Sequence, residues 1–249
     1  MDEFVDKVAL ITGAGRGVGR EIALAFSSLG AAVAVNDINP VNLDMTVSQI
    51  LEAGGNARAF VFDIAKRMPI EAMVTQVLDH FGRIDILVNH ASVEPDASLL
   101  EMDEWEFHRT LDVNLGGPFF TMQQIGRVMQ RQGGGFIVNL ISMIPQDRIQ
   151  KGNAAHLASQ AGLIGLMHAA AREFSAHNIR VNAVCHGWFE MDLVALQAWD
   201  VANLHDWLES SPWVRLGDHP DLVSVVLFLC SKGASSLTGQ VISVDLGKS

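Results

Sequence analysis

Seven short apolar segments recur along the sequence and are separated by longer amphipathic segments. Their residues are apolar and β-branched almost throughout, a pattern typical of strands that are buried on both faces of a sheet. The predicted strands are 7–12, 31–36, 57–62, 84–89, 135–140, 179–184 and 240–245, and the predicted helices are 18–29, 41–53, 67–81, 101–131, 154–177 and 219–231.

This regular alternation of strands and helices predicts successive β–α–β units, which build a parallel sheet with helices on both faces. The expected fold class is therefore α/β, with a doubly wound, seven-stranded sheet. The chain has 249 residues, and no linker, repeat or low-complexity stretch divides it. We expect a single domain over residues 1–249.

Residues 187–218 interrupt the alternation and contain four of the five tryptophans. One interpretation is a set of surface helices whose tryptophans pack onto the core. The other is a lid over a pocket at the carboxyl ends of the strands, where ligands bind in sheets of this kind. Long insertions in compact α/β domains are usually functional, which favours the lid. A tryptophan-rich lid favours an apolar or aromatic substrate.

Composition excludes several classes of partner. The formal net charge is −11 and no lysine or arginine cluster offsets it, which argues against nucleic acid and anionic membranes. No apolar run reaches the roughly 18 residues that a membrane span requires. Cys185 and Cys230 lie in apolar segments, as expected of free thiols in a reducing compartment. The acidic N-terminus is unlike a signal peptide, and we expect a cytoplasmic protein.

The glycine-rich segment TGAGRGVG (12–19) joins the first predicted strand to the first predicted helix. Glycines at such a turn let backbone N–H groups approach a pyrophosphate. The second predicted strand leads into Asp37, where a carboxylate can accept hydrogen bonds from an adenosine ribose and repel a 2′-phosphate. Arg16 favours the opposite choice, since an arginine can bind that phosphate. Asp37 holds the more direct position, so the sequence predicts NAD rather than NADP.

With these features the chain resembles the short-chain dehydrogenase/reductase family over nearly its whole length. The segments that carry the resemblance are TGAGRGVG (12–19), FDI (62–64), VNHAS (88–92), DVNLGG (112–117), IVNLISM (137–143), RVNAV (180–184), RLGDHPDLVSVVLFLCS (215–231) and LTGQVISVDLG (237–247). The resemblance implies a Rossmann-type sheet, a nicotinamide cofactor, a small-molecule substrate, and assembly as a homotetramer or homodimer.

The adenosine side of the implied cofactor site keeps the family pattern. By this resemblance, the phosphate turn and the ribose contact are formed by Gly13, Arg16, Gly17, Val18, Gly19 and Asp37; Asp63 and Ile64 flank the adenine; and further contacts come from Asn89, Ala91 and Gly187.

The nicotinamide side departs from the pattern. Asn114 matches the family's relay asparagine, and Ser142 matches the serine that binds the substrate carbonyl. His156 stands in place of the tyrosine that donates the proton, and Gln160 in place of its lysine. The chain contains no tyrosine at all, so no shift of the alignment restores one.

Two interpretations of these replacements stay open. A Lys⁺ beside a histidine would discourage its protonation, so neutral Gln160 is consistent with His156 as the group that donates or accepts the proton. Ser142 then orients the carbonyl, NAD carries the hydride, and the amide of Gln160 can donate to the nicotinamide ribose. This predicts an atypical NAD-dependent oxidoreductase that interconverts an alcohol and a carbonyl. The alternative is an NAD-binding sensor or partner subunit without dehydrogenase activity.

Three histidines raise a further possibility. On the family's fold, His90, His156 and His186 approach the nicotinamide pocket, and three imidazoles can bind zinc while leaving one position open. The sequence has no HxH or HExxH spacing to support such a site, and we expect no metal.

Overall fold

The computed structural model describes residues 3–95, 97–142, 152–186 and 218–245. In these ranges the strands are β1 (Val8–Thr12), β2 (Ala32–Asp37), β3 (Asn56–Val61), β4 (Ile86–Asn89), β5 (Gly135–Ser142), β6 (Ile179–His186) and β7 (Val241–Val244). The α-helices are α1 (Gly17–Ser28), α2 (Pro40–Glu52), α3 (Arg67–Phe81), α4 (Glu104–Leu111), α5 (Gly117–Gln132), α6 (Ala154–Phe174) and α7 (His219–Leu229).

The strands form one parallel sheet in the order β3-β2-β1-β4-β5-β6-β7. The order reverses at β1, which has β2 on one side and β4 on the other. Loops that leave neighbouring strands diverge at such a switch point and open a crevice beyond the carboxyl ends, where ligands bind. The predicted α/β class and seven-stranded parallel sheet are confirmed.

A hydrophobic core lies on each face of the sheet. Ile11 of β1 packs with Phe26 of α1 on the face that also carries α7, while Leu10 packs with Ile125 of α5 on the face that carries α3 and α6. Successive residues of a strand point to opposite faces, so both faces need apolar residues. This explains why the sequences of the inner strands do not alternate, and it confirms helices on both faces. No helix in the described ranges is long and apolar enough to span a bilayer.

Two strands run further than their apolar segments. β5 ends at Ser142 and β6 at His186, whereas the predicted strands end at residues 140 and 184. Ser142 and His186 are partners in the last register position of this strand pair. Ladder hydrogen bonds join backbones and do not require apolar side chains, so the pairing continues past the hydrophobic residues. The extension brings both polar side chains to the carboxyl edge.

Two predicted helices are composite. In place of a continuous helix over 101–131, the structure has α4, a π-helical turn at Asp112–Gly116, and α5. In place of a helix over 154–177 it has α6 and a 3₁₀ turn at Ser175–His177, which ends where Asn178 adopts a left-handed φ of 57°. Hydrophobic periodicity cannot separate a single π or 3₁₀ turn from α-helix.

The predicted lid over 187–218 lies outside the described residues except for Asp218. That residue caps α7, where its carboxylate accepts the Asp221 N–H at 3.1 Å and the Asp221 carboxylate accepts the N–H of Asp218. A reciprocal capping box of this kind defines the helix start.

Candidate functional site

The glycine-rich turn after β1 presents the first backbone N–H groups of α1 without a side-chain cap. α1 begins at Gly17 (φ 54°), and Arg16 before it is exposed and makes no capping hydrogen bond. A Cβ on Gly19 would overlap the carbonyl oxygen of Gly13, while Val18 is buried beneath the turn. Uncapped N–H groups at a helix N-terminus attract anions. The turn therefore fits the pyrophosphate of a dinucleotide.

Thr12, which the glycine motif does not single out, joins the two loops of this crevice. Its Oγ1 accepts hydrogen bonds from the N–H groups of His90, at 3.0 Å, and Ala91, at 3.2 Å. Ala91 lies so close to Gly13 that a Cβ there would come within 2.8 Å of the Ala91 Cα. The sequence did offer one sign of this role, because Thr12 places a hydroxyl at the end of an otherwise apolar strand, and a buried hydroxyl needs hydrogen-bond partners.

Asp37 closes the glycine-rich turn against the end of β2. Its Oδ2 accepts the Gly15 N–H at 3.1 Å, and its Oδ1 accepts the Asn39 N–H at 3.0 Å. A carboxylate has about four lone-pair sites, so both oxygens keep capacity for ribose hydroxyls. The structure thus places Asp37 beside the phosphate turn, as its predicted ribose contact requires.

The residues predicted to flank the adenine follow β3. Asp63 accepts hydrogen bonds from the Ala65 N–H, at 2.9 Å, and from Arg109 of α4, at 2.8 Å. Burial raises the pKa of Asp63, but these two donors outweigh it and hold the pKa below its usual value. Ile64 is buried against α5, where a Cβ on Gly117 would meet it at 2.8 Å. Arg109 is a neighbour that no motif indicated.

Asn89 belongs to a buried polar network below the crevice. Its amide nitrogen donates to Asn139 Oδ1 at 2.9 Å, and its Oδ1 accepts the Thr121 hydroxyl at 2.7 Å. The network ties β4 to β5 and α5, and its three side chains are fully or almost fully buried. The side chain of Asn89 thus has protein partners, and its contact with a cofactor stays a prediction.

Asn114 and His156 meet in the interior, as the resemblance to the family implies. Asn114 lies in the π-helical turn and His156 in the first turn of α6; both are 2% exposed. Asn114 Nδ2 is 3.4 Å from His156 Nδ1 and 3.2 Å from Ser159 Oγ. His156 Nε2 is buried and has no hydrogen-bond partner in the described part of the chain.

Ser142 and Gln160 are joined by a hydrogen bond that the motifs did not indicate. Gln160, one helical turn after His156, accepts the backbone N–H of Ser142 at 3.0 Å through Oε1. The bond fixes α6 to the end of β5, so the helix that carries His156 and Gln160 is held at the carboxyl edge where Ser142 lies. Gly187, which directly follows β6, lies outside the described residues.

His90 lies within electrostatic range of two other histidines. Burial and, to a smaller extent, the positive charge of His186, His219 and Arg16 together lower the pKa of His90 to about 4. No group of three His, Cys, Asp or Glu side chains within the described ranges is arranged to hold a metal ion.

Sequence comparisons match the chain over nearly its full length. A family model described as enoyl-(acyl carrier protein) reductase matches residues 13–249. The chain is 36% identical over 248 residues to a short chain dehydrogenase/reductase of Aspergillus oryzae, covering 98% of this chain and 95% of that one. It is 36% identical over 244 residues to a 3-oxoacyl-[acyl-carrier-protein] reductase of Staphylococcus epidermidis, covering 98% and 99%.

Solved structures show the same fold with nicotinamide cofactors. A 7α-hydroxysteroid dehydrogenase complexed with NADH and 7-oxo glycochenodeoxycholic acid has a TM-score of 0.92 and 31% identity, and the match covers 98% of this chain and 95% of that one. Other structures of this fold hold NAD⁺, in a xylitol dehydrogenase, or NADP, in a gluconate 5-dehydrogenase of Burkholderia cenocepacia. Proteins similar to this chain thus bind both kinds of cofactor.

Proposed function

This chain belongs to the short-chain dehydrogenase/reductase family, and from that premise we propose that it is an atypical NAD-dependent oxidoreductase that interconverts an alcohol and a carbonyl. The observation that carries the proposal is the buried contact of His156 with Asn114, beside the bond between Gln160 and Ser142. The positions of the family's reacting groups are thus filled by polar side chains that form two hydrogen-bonded pairs. An imidazole there can serve a reacting oxygen.

Each polar side chain has a distinct task in this proposal. The Ser142 hydroxyl holds the substrate oxygen, and His156 Nε2 faces the same oxygen. Asn114 positions the imidazole, while Gln160 positions Ser142 and has an amide group available to donate to the nicotinamide ribose. When bound, the nicotinamide supplies the hydride for reduction of the carbonyl carbon, or accepts it in the reverse direction.

NAD is proposed over NADP because of Asp37. Its carboxylate lies at the end of β2 against the glycine-rich turn, where a 2′-phosphate would meet a negative charge. The test is the melting temperature of the protein with each cofactor at the same concentration, since a ligand that binds the native state raises it. We expect a larger shift with NAD; an equal or larger shift with NADP would contradict this assignment.

We also propose an apolar or aromatic small molecule as the substrate, supported by the tryptophans of the segment 187–218. Cys185 and Cys230 are both buried, as expected of thiols in a reducing, cytoplasmic location. A panel of aliphatic, alicyclic and aromatic alcohols and ketones tests the activity through the absorbance of NADH. Turnover that is strongest on aromatic or alicyclic compounds is the expected result.

A second candidate is an NAD-binding protein without dehydrogenase activity. It is favoured by the engagement of Gln160 Oε1 with the protein backbone and by the lack of a lysine there. The two experiments separate the candidates. A melting shift with NAD together with turnover supports the enzyme, and a shift without turnover across the panel supports the sensor or partner subunit. No shift with either cofactor would contradict both.

A further inference from the structure

The ring of His156 has one nitrogen with a neighbour and one without. Nδ1 lies 3.4 Å from the amide nitrogen of Asn114, whereas Nε2 is buried without a partner in the described ranges. A buried polar atom that lacks a partner lowers stability and is rare in native proteins. Because the ring is 2% exposed, solvent does not fully replace the missing partner. Nε2 is therefore the atom available to a ligand.

The orientation of the Asn114 amide is fixed by a second residue. Asn114 Oδ1 accepts the Val93 N–H at 2.8 Å, and Nδ2 donates to the Val93 carbonyl oxygen at 2.9 Å. Turning the amide by 180° would place two oxygens together and two N–H groups together. The amide nitrogen and not the amide oxygen must therefore face His156.

The neighbouring hydroxyl does not change this orientation. Ser159 Oγ donates to the carbonyl oxygen of His156 at 2.6 Å, so its own hydrogen is used. Its lone pairs accept from Asn114 Nδ2 at 3.2 Å. The second amide hydrogen of Asn114 thus points toward Ser159 Oγ and His156 Nδ1, and both atoms act as acceptors.

We infer that Asn114 holds neutral His156 in the tautomer with its hydrogen on Nε2, so that His156 acts on the substrate oxygen as an uncharged hydrogen-bond donor and not as the source of the proton. A hydrogen on Nδ1, present in the other tautomer and in the imidazolium, would oppose the amide N–H of Asn114. This inference rests on the proposed function, and it gives His156 a polarising role in place of the proton transfer that its position in the sequence first suggested.

The reaction still balances with this assignment. In reduction, the hydride adds to the carbonyl carbon and the π electron pair moves to the oxygen, whose charge the Nε2–H and the Ser142 hydroxyl stabilise. That oxygen then takes its proton from a water molecule, which is left as hydroxide. His156 keeps its hydrogen throughout, so no step needs an imidazolate or a proton entering through Asn114.

The first test reads the tautomer directly and does not depend on turnover. In ¹⁵N spectra of the histidine rings, the signals of His156 are assigned as those missing from His156→Gln. We expect a hydrogen-bearing Nε2 and a bare Nδ1 at neutral pH, and a mixture of both tautomers in Asn114→Ala. A hydrogen on Nδ1 in the wild type would overturn the inference.

The second test compares two replacements at the same position. His156→Gln keeps a neutral N–H donor, whereas His156→Leu keeps bulk and has none. Removing one donor to a reacting oxygen lowers kcat by about 10² to 10³, so we expect that loss for Leu and a loss of about tenfold or less for Gln. Equal, severe losses in both would overturn the donor role.

The experiments distinguish failure of the proposed function from failure of the tautomer inference. A wild type that binds NAD but turns over no compound of the panel overturns the enzyme proposal, and with it the action of His156 on a substrate. The tautomer is decided by the spectra in either case. Variants are compared only where their melting shift with NAD matches that of the wild type, and a variant that does not fold leaves the decision to the wild-type spectra.

Discussion

The side chain at position 160 accepts a hydrogen bond that a lysine has no means of accepting. Gln160 Oε1 receives the backbone N–H of Ser142 at 3.0 Å, and the residue is 4% exposed. Lysine carries donors only, so at this position it would leave that N–H without its partner and bury a charge. The exchange of lysine for glutamine therefore alters how the end of β5 is held as well as the electrostatics of the site.

Placing the family's lysine at position 160 should destabilise this protein. We expect Gln160→Lys to lower the free energy of unfolding by about 1–3 kcal/mol, the usual cost of leaving a buried partner unsatisfied, and not to increase turnover. Urea denaturation followed by circular dichroism measures the change. Gln49→Lys, the same change at an exposed position of α2, is the control and should shift stability by less than about 0.5 kcal/mol. A Gln160→Lys variant as stable as wild type would contradict the role of this bond.

His90 should make the fold sensitive to mild acid. Its folded-state pKa of about 4, lowered by burial and by His186, His219 and Arg16, lies below the unfolded value near 6.5. Between these values the unfolded chain binds the extra proton. Stability is therefore complete above about pH 6.5 and falls by roughly 1.4 kcal/mol per pH unit as the pH decreases toward 4.

The variant His90→Asn isolates this contribution. We expect wild type to lose roughly 2 kcal/mol more than the variant between pH 7.5 and pH 5, as measured by urea denaturation at both values. His168→Asn, at an exposed position of α6, shows what the same substitution does elsewhere. Parallel pH dependences of wild type and His90→Asn would contradict the assignment.

At the scale of elements, the sequence is informative where burial determines the residue types. The inner strands β1, β2, β4, β5 and β6 are largely buried and therefore apolar, which made them predictable. The edge strands β3 and β7 are partly exposed, and their apolar residues were still sufficient to predict them. The site depends on features without that signal. The last pair of β5 and β6 is formed by Ser142 and His186 through backbone hydrogen bonds, and the π-helical turn at Asp112–Gly116 has the polarity pattern of ordinary helix.

The hydrogen-bond contacts of the candidate site were also not predictable from the sequence. The candidates Asn114, Ser142, His156 and Gln160 came from matching positions, and in the structure they form two pairs, Asn114 with His156 and the Ser142 N–H with Gln160. The partners of these side chains, Val93 and the Ser142 N–H, are backbone groups distant in the sequence. No periodicity or motif encodes which backbone group a polar side chain will meet. The roles of these side chains depend on which group donates and which accepts, and this could be deduced only from the three-dimensional structure.

The junction of β1 and α1 should tolerate a methyl group at one glycine and not at another. A Cβ on Gly19 would overlap the Gly13 carbonyl oxygen and come within 2.6 Å of His90 Cδ2, whereas a Cβ on Gly17 meets nothing within 4 Å. We expect Gly19→Ala to abolish the melting shift with NAD. Gly17→Ala should cost about 1–2 kcal/mol for its positive φ and should keep part of the shift. Equal effects of the two would contradict this steric account.

Considered as a whole, the molecule has helices on both outer surfaces of its sheet. The helices α1, α2 and α7 cover one face of the sheet, and α3, α5 and α6 cover the other, with α4 packed against α6. Large apolar side chains on and before α4 are exposed, with Leu99 at 78%, Leu100 at 98% and Trp105 at 71%. Soluble monomers rarely expose large contiguous apolar patches, so the face with α4 is where we expect subunits to meet.

Self-association through this face is the expectation for the whole molecule, as a dimer or tetramer of the kind that the family resemblance implies. We expect Trp105→Glu to lower the sedimentation-velocity mass, because the formal net charge of −11 would make two added carboxylates facing each other costly in an apolar contact. Val41→Glu replaces a 67%-exposed side chain of α2 on the opposite face, and this variant should keep the wild-type mass.

A wild-type protein that is monomeric at micromolar concentration would contradict self-association. A Trp105→Glu variant that assembles like wild type would show that the subunits meet at another surface. Because Trp105 lies before the π-helical turn that holds Asn114, loss of assembly with unchanged NAD binding would also separate subunit contact from the cofactor site.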